Sequence, residues 1–166
     1  MCGGRGSFKK KKNFKTDVHA TSDGVLVAFH DPILDRVTES SGVIAAMPWH
    51  KVKQAKVGGE PIPTLDEILD AFPEAFINID IKHDGATVPL VDVLSRHRAW
   101  HRVCVGSFSS RRIQTFRRLV RERTATAVGP VGVGWAIVGP HSMQRARSRG
   151  DAYQVPHRLT RYGVPL

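Results

Sequence analysis

Between Thr16 and Val128, short runs of β-branched and apolar residues alternate with stretches whose apolar residues recur at helical spacing. A chain patterned this way lays its strands parallel, because each helix carries the chain back to the end of the sheet where the previous strand began. Thr16–Ala20 reads as a short strand and Ser22-Asp23-Gly24 as a turn. Val25–Phe29 is a continuous apolar run, the pattern of a buried strand, and His30-Asp31-Pro32 ends it because Pro32 has no N–H for a ladder. Residues 38–63 read as loop and short helix, with Pro48 at the first turn of a helix over Met47–Val52. Thr64 with Glu67 three residues on spells a capping box, and Leu65, Ile68, Leu69 and Phe72 share one face of the helix that follows. Phe76–Lys82 alternates as a strand, Val88–Arg96 reads as a helix, and Arg102–Phe108 as a strand. Ser110–Arg121 is a basic amphipathic helix expected to turn Ile113, Phe116, Leu119 and Val120 inward. Ala125–Val128 and Asp151–Val155 are the last two strand candidates, and the glycine-rich residues 129–140 fit no period.

The 166 residues suffice for one domain with a real core. Met1–Phe14, rich in glycine and lysine, reads as a disordered basic tail, with a single folded unit over 15–166. No apolar run approaches the roughly 20 residues that span a bilayer, and the leading lysines precede no apolar stretch, so neither a transmembrane segment nor a secretory signal is expected. Cys2 and Cys104 make a disulfide framework improbable, and a cytoplasmic protein is the expectation. The net charge of +10 is unevenly spread: the acidic residues are concentrated between positions 16 and 95, where a cation site is expected, and both ends are basic. Basic ends suit phosphate-rich partners such as anionic membrane or nucleic acid, but nothing points to a specific nucleic acid.

The segment Thr16–Thr38, TDVHATSDGVLVAFHDPILDRVT, resembles the signature of the glycerophosphodiester phosphodiesterase family: an Asp followed by Val-His, an Asp-Gly turn, an apolar strand, His-Asp, and Leu-x-Arg. Ile62-Pro63-Thr64-Leu65, Asn78-Ile79-Asp80-Ile81-Lys82 and Gly106-Ser107-Phe108-Ser109 follow in the family's order. The resemblance implies an α/β fold of the TIM type. Because a complete barrel of this kind needs about 250 residues, an incomplete (β/α) barrel lacking its first and last strands is expected. It also implies metal-dependent hydrolysis of a small-molecule glycerophosphodiester to sn-glycerol 3-phosphate and an alcohol, with Ca2+ or Mg2+ at the mouth of the barrel. Carried across by motif, Asp17 and Asp80 are the metal ligands, His30 is the catalytic histidine and Lys82 contacts the substrate phosphate. Asp31 is read as ordering the turn, and His19 as a structural residue facing away from Asp17.

Lys15 stands where the family has its first metal-binding glutamate, and Asp80 where it usually has another. The strand with the family's early His-Arg motif has no counterpart, nor does the late tryptophan-containing strand. Three functions are therefore weighed: the phosphodiesterase, a catalytically inactive fragment or pseudoenzyme, and a basic protein binding nucleic acid or membrane. Open barrel edges also make self-association an expectation.

Overall fold

The computed structural model describes residues 13–128, 150–153, 160–161 and 164–165. Its first strand, β1 (Asn13–Ala20), begins three residues before the expected Thr16, with Phe14 packed on Phe72 at a ring-centroid distance of 4.8 Å. β2 (Leu26–Ala28) returns antiparallel to β1, pairing Val18 with Ala28 and Ala20 with Leu26. This departs from the all-parallel reading. An unbroken apolar run signals burial on both faces, which a tight hairpin folded under neighbouring segments achieves as well as a crossover strand.

Two short strands, β3 (Lys56–Val57) and β4 (Glu60–Pro61), form a small hairpin where a loop was expected, with Gly58 and Gly59 at positive φ in its turn. The helix α1 (Trp49–Val52) is preceded by Pro48 at its N-cap. α2 (Leu65–Ala71) carries the complete capping box: Glu67 N–H donates to the Thr64 hydroxyl, and Thr64 N–H donates to the Glu67 carboxylate. β5 (Phe76–Ile81), α3 (Thr87–Arg96), β6 (Val103–Gly106), α4 (Ser110–Leu119) and β7 (Ala125–Val128) then alternate as the periodicity predicts. β8 (Ala152–Tyr153) pairs parallel with β7, and β9 (Thr160–Arg161) and β10 (Val164–Pro165) pair with each other. Residues 129–149 and 154–159 lie outside the described residues, as does the tail up to Lys12.

The main sheet runs in the order β2-β1-β5-β6-β7-β8, with every pairing after β1–β2 parallel. Among the described residues it is an open arc of a barrel. Ile77, Ile79, Val105 and Val18 from the strands meet Leu65, Leu69, Leu90, Leu94, Ile113 and Phe116 from the helices in one core. A second, smaller cluster built on Val27, Leu34, Ile44, Val52 and Ile62 anchors the long segment after β2. α4 turns Ile113 and Phe116 inward, but Leu119 is 42% exposed and Val120 half-buried, because the helix ends at Leu119 before its last turn reaches the sheet.

Helix α3 ends in a Schellman motif: Ala99 N–H donates to the Leu94 carbonyl, and Arg98 N–H to that of Ser95. The left-handed position of this motif, usually glycine, is held by Arg98 at φ 48°, and Arg98 is the sole non-glycine with positive φ among the described residues. Nearby, the buried Arg102 donates to the carbonyls of Leu69 and Phe72, satisfying the C-terminal end of α2.

Candidate active site

Parallel pairing of β1 with β5 places Asp17 directly beside Asp80. Two adjacent strands thereby deliver one carboxylate each to the carboxyl end of the sheet, the end at which α/β barrels gather their reactive groups. Asp80 is 1% exposed, and three oxygens of this pair, Asp17 Oδ1 and both of Asp80, are buried without a hydrogen-bond partner. The Lys82 ammonium, one step past the end of β5, lies 2.9 Å from Asp80 Oδ2 and 3.5 Å from Asp17 Oδ1. Its approach to Asp80 has the distance of a hydrogen bond but not the direction, so the attraction is ionic. Burial pulls the Lys82 pKa down, and the two carboxylates outweigh it and hold the group charged above its ordinary value.

His30 enters from the end of β2. Its Nε2 faces Asp17 Oδ2 at 3.9 Å, and its Nδ1 lies 2.6 Å from Asp31 Oδ1. The second Asp31 oxygen accepts from Arg36 Nε. Arg36, and after it His30, drives the Asp31 pKa down to about 2, so this carboxylate stays ionised throughout the working range. An ionised carboxylate at Nδ1 selects, for the neutral ring, the tautomer with its proton on Nδ1, and Nε2 is the nitrogen that faces the carboxylate pair. His19, buried at 4% exposure, has Nε2 3.2 Å from the His30 carbonyl oxygen, and burial lowers its pKa, so the neutral ring donates there. His19 is thus structural, as expected, but the expectation that it turns away from Asp17 is corrected: residues two apart on a strand share a face.

On the far side of Lys82 stands Phe108, 68% exposed, with the ammonium 5.4 Å from its ring centroid. The turn that presents it is pinned by buried Ser107, whose hydroxyl donates to the Ile81 carbonyl at 2.7 Å and accepts from Ser109 N–H.

The four residues nominated from the sequence, Asp17, His30, Asp80 and Lys82, therefore converge. Sequence reasoning missed the linkage through Asp31 to Arg36, although the Leu-x-Arg of the quoted signature held the signal. Among the described residues, no group of three His, Cys, Asp or Glu side chains is placed to hold a metal ion. The donors that are present fit a hard divalent cation in kind: two carboxylates with orphaned buried oxygens, the number that Mg2+ commonly takes from a protein when water and substrate phosphate supply the rest. Lys15 is exposed and two residues from Asp17 on β1, so its side chain is free to extend into water.

This arrangement sits on a sequence that matches, over residues 14–131, the model of the glycerophosphoryl diester phosphodiesterase family. The chain belongs to that family. It is 39% identical over 158 residues to the probable glycerophosphodiester phosphodiesterase 2 of Mycobacterium tuberculosis, covering 92% of this chain and 59% of that protein. A glycerophosphodiester phosphodiesterase of Caldanaerobacter subterraneus is 27% identical over 118 residues, or 62% of this chain and 49% of the relative. The chain thus spans roughly half to three-fifths of the length of these relatives. Among solved structures, an Oleispira antarctica phosphodiesterase in complex with the product sn-glycerol-3-phosphate superposes with a TM-score of 0.63 at 26% identity, over 70% of this chain and 53% of that one. The family member from Silicibacter pomeroyi shares the fold with a TM-score of 0.69 at 17% identity, over 86% and 64% of the two chains. The family fold is a (β/α) barrel, of which the described sheet forms part. No helix among the described residues is long and apolar enough to cross a membrane.

Proposed function

We propose that this chain hydrolyses glycerophosphodiesters to sn-glycerol 3-phosphate and an alcohol, with His30 as the proton-transfer group. The observation that carries this reading is the convergence of Asp17, Asp80 and the free Nε2 of His30 at one end of two parallel strands. A water near Nε2 loses its proton to the imidazole as its oxygen bonds to phosphorus, the P–O bond to the alcohol breaks, and the imidazolium proton passes to the departing alkoxide. The Asp31 carboxylate stabilises the imidazolium that results, and Arg36 holds Asp31 in place. Lys82, already charged, offsets negative charge on the phosphoryl oxygens. Asp17 and Asp80 are the residues that would hold Ca2+ or Mg2+, which when bound polarises the phosphoryl group.

Incubating the purified chain with glycerophosphocholine and Mg2+ or Ca2+ tests the proposal by release of glycerol 3-phosphate. Release is expected, and it is expected to vanish in His30→Ala; release that survives that change removes His30 from the mechanism. The site also supports a second reading, an inactive relative in which Lys82 takes the place of a cation between the carboxylates. That reading expects no turnover and no rise in melting temperature on adding either ion, in the parent chain or in Lys82→Met. The first reading expects a rise in both, larger in Lys82→Met, where the paired carboxylates have lost their ammonium.

Self-association belongs to the same proposal. Among the named strands, the Asn13–Thr16 stretch of β1 is paired on the β5 side alone, which suits addition of a strand from a second copy. Light scattering that finds a monomer at all concentrations would remove it.

A further inference from the structure

The opposite end of the sheet, where strands begin and helices finish, holds an open cavity of about 760 Å³ between the α3–β6 and α4–β7 connections. Arg98, Arg121 and Arg123 line it, with Trp100, His101 and a single acid, Glu122. Cations gather at helix C-termini for the sake of the helix dipole alone, and Arg96, Arg117 and Arg118 in the last turns of α3 and α4 do so here. Two observations mark the cavity arginines as available to a ligand. The guanidinium groups of Arg98, Arg121 and Arg123 have no hydrogen-bond or ion-pair partner among the described residues, whereas Arg96 pairs with Asp66, Arg112 with Asp84, Arg117 binds Thr126, and Arg102 caps α2. Arg98 also occupies a backbone position whose φ of 48° suits glycine, so an extended side chain is displayed at the cavity edge at the expense of local strain.

We propose that this cavity is a second anion site, separate from the carboxylate-lined mouth, which takes a phosphate group, free or on a phospholipid head. Guanidinium forks match phosphate oxygens geometrically and hold them by charge-assisted hydrogen bonds. Three of them, opposed by one carboxylate, leave a surplus of positive charge that the dianion or diester offsets. Trp100 supplies a flat apolar wall beside the charges and also reports binding through its fluorescence.

The experiment uses the full chain, titrated separately with inorganic phosphate and with phosphatidylglycerol vesicles, zwitterionic phosphatidylcholine vesicles serving as the control of zero net charge. Binding is followed by calorimetry and by fluorescence compared with Trp100→Phe. Arg98→Gly is the decisive variant, since it removes the guanidinium and gives the backbone the residue it fits best; its melting temperature is expected to stay level or rise. Affinity is expected to fall about tenfold in Arg98→Gly and further in Arg121→Ala/Arg123→Ala. A Lys9–Lys12 quadruple glutamine variant is expected to keep most of it. Binding of both probes supports the site and assigns it to phosphate as such; binding of phosphatidylglycerol vesicles alone supports it and assigns it to a lipid headgroup. The proposal is overturned if neither probe binds, or if binding is untouched by the arginine changes and abolished by the lysine changes. Because His30→Ala leaves this cavity intact, loss of hydrolysis and loss of anion binding are read independently.

Discussion

The two ends of the same sheet solve opposite electrostatic problems. At the carboxyl end, a buried and a half-buried carboxylate, with oxygens that lack hydrogen bonds, are balanced by one lysine and overlooked by a histidine that is mostly in water. At the amino end, arginines crowd around helix C-termini, and those that are buried or half-buried are consumed by backbone carbonyls and hydroxyls. The comparison teaches where removing a charge is felt. At the mouth, the exposed His30 is expected to matter to the proposed chemistry and little to stability; at the far end, the buried Arg102 is expected to matter to stability alone.

The largest expected effect breaks the comparison if it fails. His30→Ala is expected to lower the rate of glycerol 3-phosphate release by about 10²- to 10⁴-fold while leaving the denaturation midpoint unchanged, since the side chain is 71% exposed. A matching loss of stability would mean that the mouth is structural after all. Next comes Arg102→Ala, which strips donors from the carbonyls of Leu69 and Phe72. Leaving one buried and one part-buried acceptor unmet is expected to cost about 1–3 kcal/mol in urea unfolding, with metal response at the mouth preserved. A smaller effect, about 1 kcal/mol, is expected for Thr64→Ala, which removes the cap of α2 without touching either end's charges.

The smallest effect is a pH dependence that sharpens the contrast. Burial alone would raise the Asp66 pKa, but hydrogen bonds from Arg96 and His97 outweigh it and leave the carboxyl below its ordinary value. A depressed carboxyl contributes stability above its unfolded pKa, near 3.8, and loses it as pH falls towards the folded value. Unfolding midpoints measured across that acid range are therefore expected to drop less steeply in Asp66→Asn than in the parent chain. An equal slope in both would remove the Arg96–Asp66 contact as a contributor.

Much of this was legible because the relevant physics is local. The capping box at Thr64 and Glu67, the alternation of Phe76–Lys82 and the helix register that buries Ile113 and Phe116 all follow from neighbours a few residues apart. Asp17, His30, Asp80 and Lys82 were found through motif order, and their meeting needed only that β1 and β5 be adjacent and parallel. Strand direction was not legible for β2, because an apolar run states how deeply it is buried and not which way its partner runs. Nor could spacing show that Arg36 reaches back to Asp31, since both lie in a segment without period. Arg98 was invisible for a related reason: a left-handed arginine looks like any other residue after a helix until its φ is known.

The Ser107 hydroxyl, wedged between the Ile81 carbonyl and the Ser109 amide, is a rivet through two strand ends. Lys82 hangs from one side of it and Phe108 from the other, so the charged and the aromatic walls of the mouth share a single fastening. A change that loosens β6 is therefore transmitted to the ammonium just past β5, and the two walls are expected to drift together rather than one at a time.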